Sequence, residues 1–280
     1  MTFTKVFLQM WVDDDALVRV QLRTVHPNVR ALLERCKTLP QQRTQEWYRQ
    51  RNQRVTASEV AAVIGRSKFQ SKNVALRMKV GAILGDNVLC PPRTGNYITD
   101  WGNRNEDHVR DRFCREYDEV CHETGCVPHT TLPLLGASPD GVLESGCLLE
   151  IKCPFKRDPV PGQIPEMYYH QMQLQMEVCN LDATYYVEWK PSTVFGEPER
   201  EVFQVQLVVR DCKWLETWLP TIKDFWNRVQ TYVADPERAR AELRPRTRRR
   251  KRAESPEATV NDETTEQQKE QEPAAVLAFI

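Results

Sequence analysis

One short stretch, SPDGVLESGCLLEIKCP at residues 138–154, places charged side chains inside an otherwise apolar pattern. In a strand, successive side chains point to opposite faces, so Glu150 and Lys152 share one face and their apolar neighbours point to the other. This alternation is typical of a sheet that packs on one side against a core. Residues 144–146 have a turn-type sequence, which predicts a hairpin that brings Asp140 near Glu150.

Two carboxylates and one ammonium group on one face need something that offsets their burial and repulsion. Mg2+ is suited to this, because it prefers oxygen ligands, takes one or two carboxylates and keeps waters or phosphate oxygens as its other ligands. Lys152 beside such a site could favour hydroxide and balance charge on an attacked phosphate. The pattern therefore indicates metal-assisted phosphodiester hydrolysis, with Asp140 and Glu150 as ligands. The alternative is a plain turn at residues 139–141 and an exposed ion pair between Glu150 and Lys152.

Length and cysteine usage define the broad class of protein. The 280 residues allow one domain of about 200 residues plus appendages. The N-terminus has no uninterrupted apolar region and no window approaches about 18 apolar residues, so we expect a soluble, unsecreted protein that does not enter a membrane. The nine cysteines are scattered and odd in number, which indicates a reducing compartment rather than a disulfide framework.

Charge is balanced overall but unevenly distributed. The chain has 39 basic and 39 acidic residues, so a DNA-binding surface has to be a local groove. The run RPRTRRRKR at residues 244–252 has seven basic residues, which indicates nuclear import or non-specific phosphate binding. From about Asp235 the composition is rich in Glu, Gln, Thr, Pro and Ala, and we expect residues 235–280 to form a disordered tail.

Residues 44–234 alternate between helical and strand patterns, which predicts an α/β (α+β) domain. A capping box at Thr56 and Glu59 predicts that a helix begins there. The segment 101–119 has helical spacing that places Glu106 beside the buried stripe. The remaining predicted elements are a helix at 167–178, strands at 184–189 and 201–209, and an amphipathic helix from 214 to 229.

Four separate stretches resemble one known family in their order and rough spacing. They are WYRQRNQRVTASEVAAVIG (47–65), WGNRNEDHVRDRF (101–113), SPDGVLESGCLLEIKCPF (138–155) and YYHQMQLQM (168–176). Together they resemble the phage lambda exonuclease and YqaJ viral recombinase family of PD-(D/E)xK nucleases. The resemblance implies a restriction-endonuclease-like core with a central mixed β-sheet flanked by helices. It leaves residues 1–43 as an N-terminal extension of unclear role.

The resemblance also implies roles for single residues. Those it assigns to catalysis and metal binding are Asp140, Glu150, Lys152, Glu106, Gln171 and, through its main-chain carbonyl, Ile151. Arg51 and Ser58 match positions that hold the terminal 5′-phosphate of DNA. Their chemistry suits this role, because Ser58 falls in the first turn of a predicted helix and Arg51 carries a forked, permanently charged donor.

Several of these residues also have an ordinary structural explanation. Ser58 could only cap its helix, and Arg51 could be a surface residue. Glu106 could pair with Arg110 one helical turn along. A helical glutamine such as Gln171 more often meets a backbone group or water than a substrate.

The activity implied by the resemblance is that of a Mg2+-dependent deoxyribonuclease, with Mn2+ as a substitute. The family digests one strand of double-stranded DNA from 5′ to 3′, which leaves single-stranded DNA for an annealing protein in viral recombination or genome processing. Relatives form trimeric rings, so a homotrimer is expected, and the basic run indicates the host nucleus. The alternatives are an endonuclease or RNA-degrading nuclease of the same fold, and a non-catalytic DNA-binding recombination partner.

A competing metal site lies in the segment 114–129. The five residues that could in principle bind zinc are Cys114, Cys121, His122, Cys126 and His129. Their spacing matches no familiar zinc finger, and the first of them lies on a predicted helix. Zinc is therefore the less favoured interpretation.

Overall fold

The structure, a computed structural model, describes residues 6–12, 16–22, 24–92, 97–191 and 201–245. The strands in these ranges are β1 (Val6–Val12), β2 (Ala16–Leu22), β3 (Val55–Thr56), β4 (Cys121–His122), β5 (Val127–Pro128), β6 (Leu135–Ala137), β7 (Gly141–Leu143), β8 (Cys147–Lys152), β9 (Ala183–Lys190) and β10 (Val202–Val209). The helices are α1 (Pro27–Cys36), α2 (Gln45–Asn52), α3 (Ala57–Val63), α4 (Lys72–Leu84), α5 (Tyr97–Tyr117), α6 (Glu166–Cys179), α7 (Trp214–Ala234) and α8 (Pro236–Leu243). The predicted α/β class is confirmed.

The central sheet has five strands in the order β10-β9-β8-β7-β4. Strands β8 and β9 run parallel, whereas the other neighbouring pairs are antiparallel. The sheet is therefore mixed, as predicted. The register places Glu150 beside Tyr186 and Lys152 beside Glu188, so one face of the sheet carries a row of polar side chains.

Both faces of this sheet are covered. On one face, Leu149 and Ile151 belong to a hydrophobic cluster with Val109 and Phe113 of α5. On the other face, side chains of α6 contact Glu150 directly. The sheet flanked by helices that the resemblance implied is therefore confirmed, whereas the alternation in β8 indicated a core on one side. The charged face can be buried because α6 supplies glutamine amides that pair with the charge.

The main hydrophobic cluster extends beyond the sheet. It includes residues of α1, α3, α4, α6 and α7, together with the three-stranded sheet β3-β6-β5. Val29 and Leu32 of α1 are almost completely buried in it. The packed core therefore begins before the predicted domain boundary at residue 44. Strands β1 and β2 pair as an antiparallel hairpin.

The helix at the predicted capping box begins where the sequence indicated. The capping box of Thr56 and Glu59 is present, with the N–H of Thr56 donating to Glu59 Oε1 at 3.0 Å. Helix α5 includes Glu106, and α6 includes Gln171. Helix α7 starts at Trp214, as predicted. The helices that carry Ser58, Glu106 and Gln171 are thus those that the sequence indicated, whereas helix α2, which carries Arg51, was not predicted.

The predicted C-terminal disorder was wrong for its first part, because Pro236–Leu243 forms helix α8. Asp235 caps the helix by accepting a backbone N–H of its first turn at 3.0 Å. Arg240 pairs with Asp86 at 2.6 Å, which attaches the helix to the segment after α4. These contacts stabilise a helix in a polar sequence whose composition alone does not predict one. The remainder of the predicted tail, including residues 246–252 of the basic run, lies outside the described residues.

The described ranges also bear on a membrane-spanning helix and on a zinc site. No helix in the described parts of the chain is long and apolar enough to cross a membrane. All nine cysteines are free thiols. Within those parts, the Cys and His residues of segment 114–129 do not form a group that could hold a metal ion.

Candidate active site

Glu150 is the buried centre of the candidate site, with no exposed surface on β8. Gln171 and Gln175, one turn apart on α6, donate to its Oε1 at 2.5 Å and its Oε2 at 2.6 Å. Lys152 contacts Oε1 and also donates to the carbonyl of Ile151 at 3.2 Å. Both oxygens of the buried carboxylate therefore accept hydrogen bonds, as burial of charge requires.

Asp140 reaches the same site across the β7–β8 hairpin. Its Oδ2 accepts the N–H of Ile151 at 2.7 Å. The next residue, Gly141, pairs with Leu149 in the sheet. The backbone of the hairpin thus holds Asp140 beside Glu150, which is the juxtaposition that the turn sequence predicted.

Burial and mutual repulsion change the protonation of these groups. Burial, and then the nearby Asp140 carboxylate, raise the pKa of Glu150 to about 7. The same two causes raise the pKa of Glu106 to about 7. Burial opposes the charge on Lys152, but the carboxylates of Glu150 and Asp140 raise its pKa well above the usual range. The site therefore has carboxylates whose charge is poorly stabilised, and a cation would relieve this.

Glu106 lies on α5, near enough for Asp140 to raise its pKa, yet both of its oxygens are paired. Arg43 donates to Oε2 at 2.9 Å, and Arg110 donates to Oε1 at 3.2 Å. The ordinary alternative, a pair with Arg110, is thus present. Arg43 was not indicated by the sequence, because it lies in the turn before α2 and only the tertiary fold brings it to α5.

The oxygen donors of the site bear on which metal it could hold. Among the residues that the structure describes, no three His, Cys, Asp or Glu side chains converge into a metal-binding group. Glu106, the third carboxylate of the predicted set, is paired with Arg43 and Arg110. The chemistry of the remaining donors fits a hard dication, since Asp140, Glu150 and the Ile151 carbonyl all offer oxygen and Mg2+ takes only one or two carboxylates. The ammonium group of Lys152 contacts two of these oxygens, Oε1 of Glu150 and the carbonyl of Ile151.

Arg51 and Ser58 form a neighbouring polar site. Arg51 donates to Ser58 Oγ at 2.7 Å, and its guanidinium lies 4.4 Å from the centre of the Trp47 ring. The indole N–H of Trp47 donates to Ser138 Oγ at 3.1 Å, two residues before Asp140. A single tryptophan therefore connects the pair to the acidic site.

A buried lysine that the sequence did not indicate fixes the backbone of this pair. Lys79 of α4 donates to the carbonyls of Arg51 at 3.0 Å and Arg54 at 2.7 Å. It also pairs with Glu59 at 2.8 Å, the glutamate of the capping box. The end of α2 and the start of α3 are thus joined through one ammonium group.

A second buried carboxylate on the same sheet face was also missed. Glu188 of β9 is completely buried and pairs with Arg157. The ring of Tyr168 lies near both this ion pair and the acidic site. Its centre is 5.2 Å from Lys152 Nζ and 5.9 Å from the Arg157 guanidinium carbon. The signal was available in the sequence, because Glu188 interrupts the strand YYVEWK as Glu150 interrupts CLLEIK.

Comparison with known proteins shows which family the central part of this chain matches. Residues 46–183 match the model of the YqaJ-like viral recombinase domain, and this range contains every predicted site residue. A YqaJ-like viral recombinase domain is therefore present in this chain. The resemblance of the four sequence stretches is thus confirmed.

Two known proteins are similar to this chain, and one of them has two solved structures. "Uncharacterized protein R354" of Acanthamoeba polyphaga mimivirus is 28% identical over an alignment of 177 positions, and the match covers 56% of this chain and 31% of the relative. The chain thus spans about a third of that relative's length. An alkaline exonuclease (LHK-Exo) from Laribacter hongkongensis is 25% identical with a TM-score of 0.58, and its complex with dAMP is 26% identical with a TM-score of 0.59. Each covers 71% of this chain and 100% of the exonuclease chain, and the shared fold is that of the PD-(D/E)xK exonucleases.

Proposed function

We propose that this YqaJ-like protein is a metal-dependent nuclease that hydrolyses DNA phosphodiesters. The observation that carries this proposal is Asp140 held beside the completely buried Glu150, with the charged Lys152 in contact. The family supports it, because LHK-Exo is described as an alkaline exonuclease and one of its structures is a complex with dAMP. We propose Mg2+ as the cofactor, with Mn2+ able to replace it.

Asp140, Glu150 and the carbonyl of Ile151 would hold the cation, with Glu106 completing the set after release from its arginines. The bound cation would supply Lewis-acid stabilisation of the phosphate and lower the pKa of the attacking water. The ammonium group of Lys152 remains charged because of its two acidic neighbours, so it donates to the phosphate rather than accepting a proton. Gln171 keeps Oε1 of Glu150 in place, and no covalent enzyme intermediate is required.

The substrate that we propose is the 5′ end of linear double-stranded DNA. A terminal phosphate is a compact anion with several acceptor oxygens, and Arg51 provides a forked donor 2.7 Å from the hydroxyl of Ser58. The link through Trp47 to Ser138 places this donor pair beside the loop that carries Asp140. An end bound there would present a nearby phosphodiester to the acidic site.

The wider role is proposed from the family. Digestion from 5′ to 3′ would leave single-stranded DNA for a single-strand annealing protein in viral-type recombination. We also propose a homotrimer as the working assembly and the host nucleus as the location, the latter from the basic run at residues 244–252.

A panel of substrates tests the proposed activity. Four substrates are compared with Mg2+: 5′-phosphorylated linear duplex, 5′-hydroxyl linear duplex, covalently closed circular duplex and RNA. The expected result is mononucleotide release from the phosphorylated duplex, slower release from the hydroxyl duplex, and none from the circle or RNA. Cleavage of the circle at the same rate would exclude a strict exonuclease, and preferred cleavage of RNA would indicate the alternative nuclease.

Two arginine variants sharpen this test. Arg51→Ala should remove most of the preference for a 5′-phosphate, about tenfold or more in kcat/KM, because it loses a charge-assisted hydrogen bond. Arg49→Ala is the matched control, because Arg49 is exposed on the same helix and pairs with Glu46 at 3.2 Å. Equal phosphate preference in wild type and Arg51→Ala would contradict the proposed 5′-phosphate site.

A further inference from the structure

Helix α6 presents three glutamines to the interior, and two of them hold Glu150. Gln175 is completely buried and donates through Nε2 to Oε2 of Glu150 at 2.6 Å. Because an ionised carboxylate only accepts hydrogen bonds, the amide nitrogen of Gln175 has to face it. The other amide atom of Gln175, Oε1, has no hydrogen-bond partner among the described residues. Among the described residues, the amide of Gln175 therefore hydrogen-bonds only to Glu150.

The two oxygens of Glu150 have different surroundings. Oε1 meets Lys152 and Gln171, and the Lys152 side chain is 22% exposed, so this oxygen lies on the side open to solvent. Oε2 meets Gln175, which has no exposed surface. A cation that arrives from solvent would therefore reach Oε1 and displace Lys152 there. The bond to Gln175 is on the far side and would persist.

We propose that Gln175 is a positioning residue that orients Glu150 for cation binding. The terminal carboxylate torsion of a glutamate is broadly distributed, so one oxygen held from the interior fixes the direction of the other. Without Gln175, Oε2 would be a buried acceptor with no donor, and the carboxylate would turn towards Lys152 or Gln171 to recover one. This inference rests on the proposed function, because it assumes that Glu150 binds a metal.

Gln173 provides a matched control on the same helix. It is 1% exposed, and both of its amide atoms bond to backbone groups elsewhere. Its Nε2 donates to the carbonyl of Val209 at 3.0 Å, and its Oε1 accepts the N–H of Asp211 at 2.7 Å. Loss of this glutamine should therefore cost stability without affecting Glu150.

The experiment compares Gln175→Met with Gln173→Met by calorimetric titration with Mn2+ and by thermal unfolding. Methionine has a similar length and removes the amide in both variants. We expect Gln175→Met to weaken Mn2+ binding about tenfold or more, as is typical for loss of an outer-shell partner, and excess Mg2+ to restore its cleavage rate. Gln173→Met should lower the unfolding temperature and leave Mn2+ affinity within about twofold of wild type.

The outcomes separate this inference from the proposed function. Unchanged Mn2+ affinity in Gln175→Met, or equal weakening in both variants, would overturn the positioning role. If wild type binds Mn2+ and Gln175→Met weakens that binding, but wild type cleaves no DNA, the positioning role stands and the nuclease proposal fails. Gln175→Asn, which retains an amide too short to reach Glu150, replaces Gln175→Met if the methionine variant does not fold, with the same expected and contradicting results.

Discussion

At the scale of single residues, the chemistry of the site depends on charge that is poorly stabilised. Glu150 and Glu106 share a close carboxylate neighbour in Asp140, and burial raises the pKa of both to about 7. Metal binding requires ionised carboxylates, so a cation and protons compete for this site. Affinity for the cation should therefore increase as pH rises towards 8.

This competition predicts how stability depends on pH. A glutamate whose folded pKa is about 7 holds its proton in the native state at a pH where the unfolded chain, with a pKa near 4.5, has lost it. Its contribution to the free energy of unfolding is complete below about pH 4.5 and is lost as pH rises to 7. Without a divalent cation, stability should therefore fall between pH 5 and pH 8, by about 1–3 kcal/mol for one such group.

The measurement is the unfolding temperature with and without Mg2+ at pH 5 and pH 8. Mg2+ should raise it by several degrees at pH 8 and very little at pH 5. Glu106→Gln is the control, because it cannot titrate and should show a shallower decrease. An equal effect of Mg2+ at both pH values would contradict this explanation.

Which of these residues the sequence could indicate depends on the range of the interaction. Asp140, Glu150 and Lys152 were predictable from alternation and a turn, because a hairpin is a local structure. Gln171 came only from the resemblance, since a helical glutamine has many uses. Arg43 could not be foreseen, because it meets Glu106 from a distant turn.

At the scale of elements, helix α4 packs closely against the segment that follows it, at residues 89–90. Helix α4 carries Lys79, and two residues later Gly81 faces the backbone of residues 89–90. A Cβ at Gly81 would lie 2.5 Å from the backbone nitrogen of Cys90 and 2.7 Å from Cβ of Leu89. Neither of these atoms can move as the end of a flexible side chain, so the helix or the segment would have to shift.

Two glycine substitutions test this packing. Gly81→Ala should destabilise the protein by about 1–3 kcal/mol, because overpacking exceeds the gain in helix propensity. Gly102→Ala is the matched control within α5, where a Cβ would meet nothing within 4 Å, and it should stabilise by up to about 1 kcal/mol. Denaturant unfolding measures both, and equal effects of the two substitutions would contradict the close packing of α4.

The helices and strands were more predictable from the sequence than the way they pack against each other. The helical and strand periods indicated α5, α6, β9 and α7, because a period reports which face is buried. They did not indicate that α6 covers the charged face of the sheet. Helix α8 was missed because its stability comes from a cap and from the pair of Arg240 with Asp86, which composition does not record.

At the scale of the whole molecule, the described core and the C-terminal segment have different compositions. The compact unit spans Met1–Pro245, and the basic run continues from there to residue 252. After it, residues 253–280 carry acidic side chains and one lysine. The basic run is therefore the part of the C-terminal segment that fits a nuclear import signal.

Two truncations test this assignment in cells. Deletion of residues 246–280 should abolish nuclear accumulation of a tandem fluorescent fusion, because it removes six of the seven basic residues at 244–252. Deletion of residues 253–280 keeps the basic run and should accumulate like the full chain. Nuclear accumulation of the longer deletion at the level of the full chain would exclude the basic run as the signal.

The rate of nucleotide release from a 5′-phosphorylated linear duplex, compared between wild type and Lys152→Ala, tests the central claim most directly. Wild type should release nucleotides only when Mg2+ is present. Lys152→Ala should bind the same duplex with similar affinity and release nucleotides at least about a hundredfold more slowly, because the charge that stabilises the phosphate is lost. Digestion by Lys152→Ala at the wild-type rate would contradict the account.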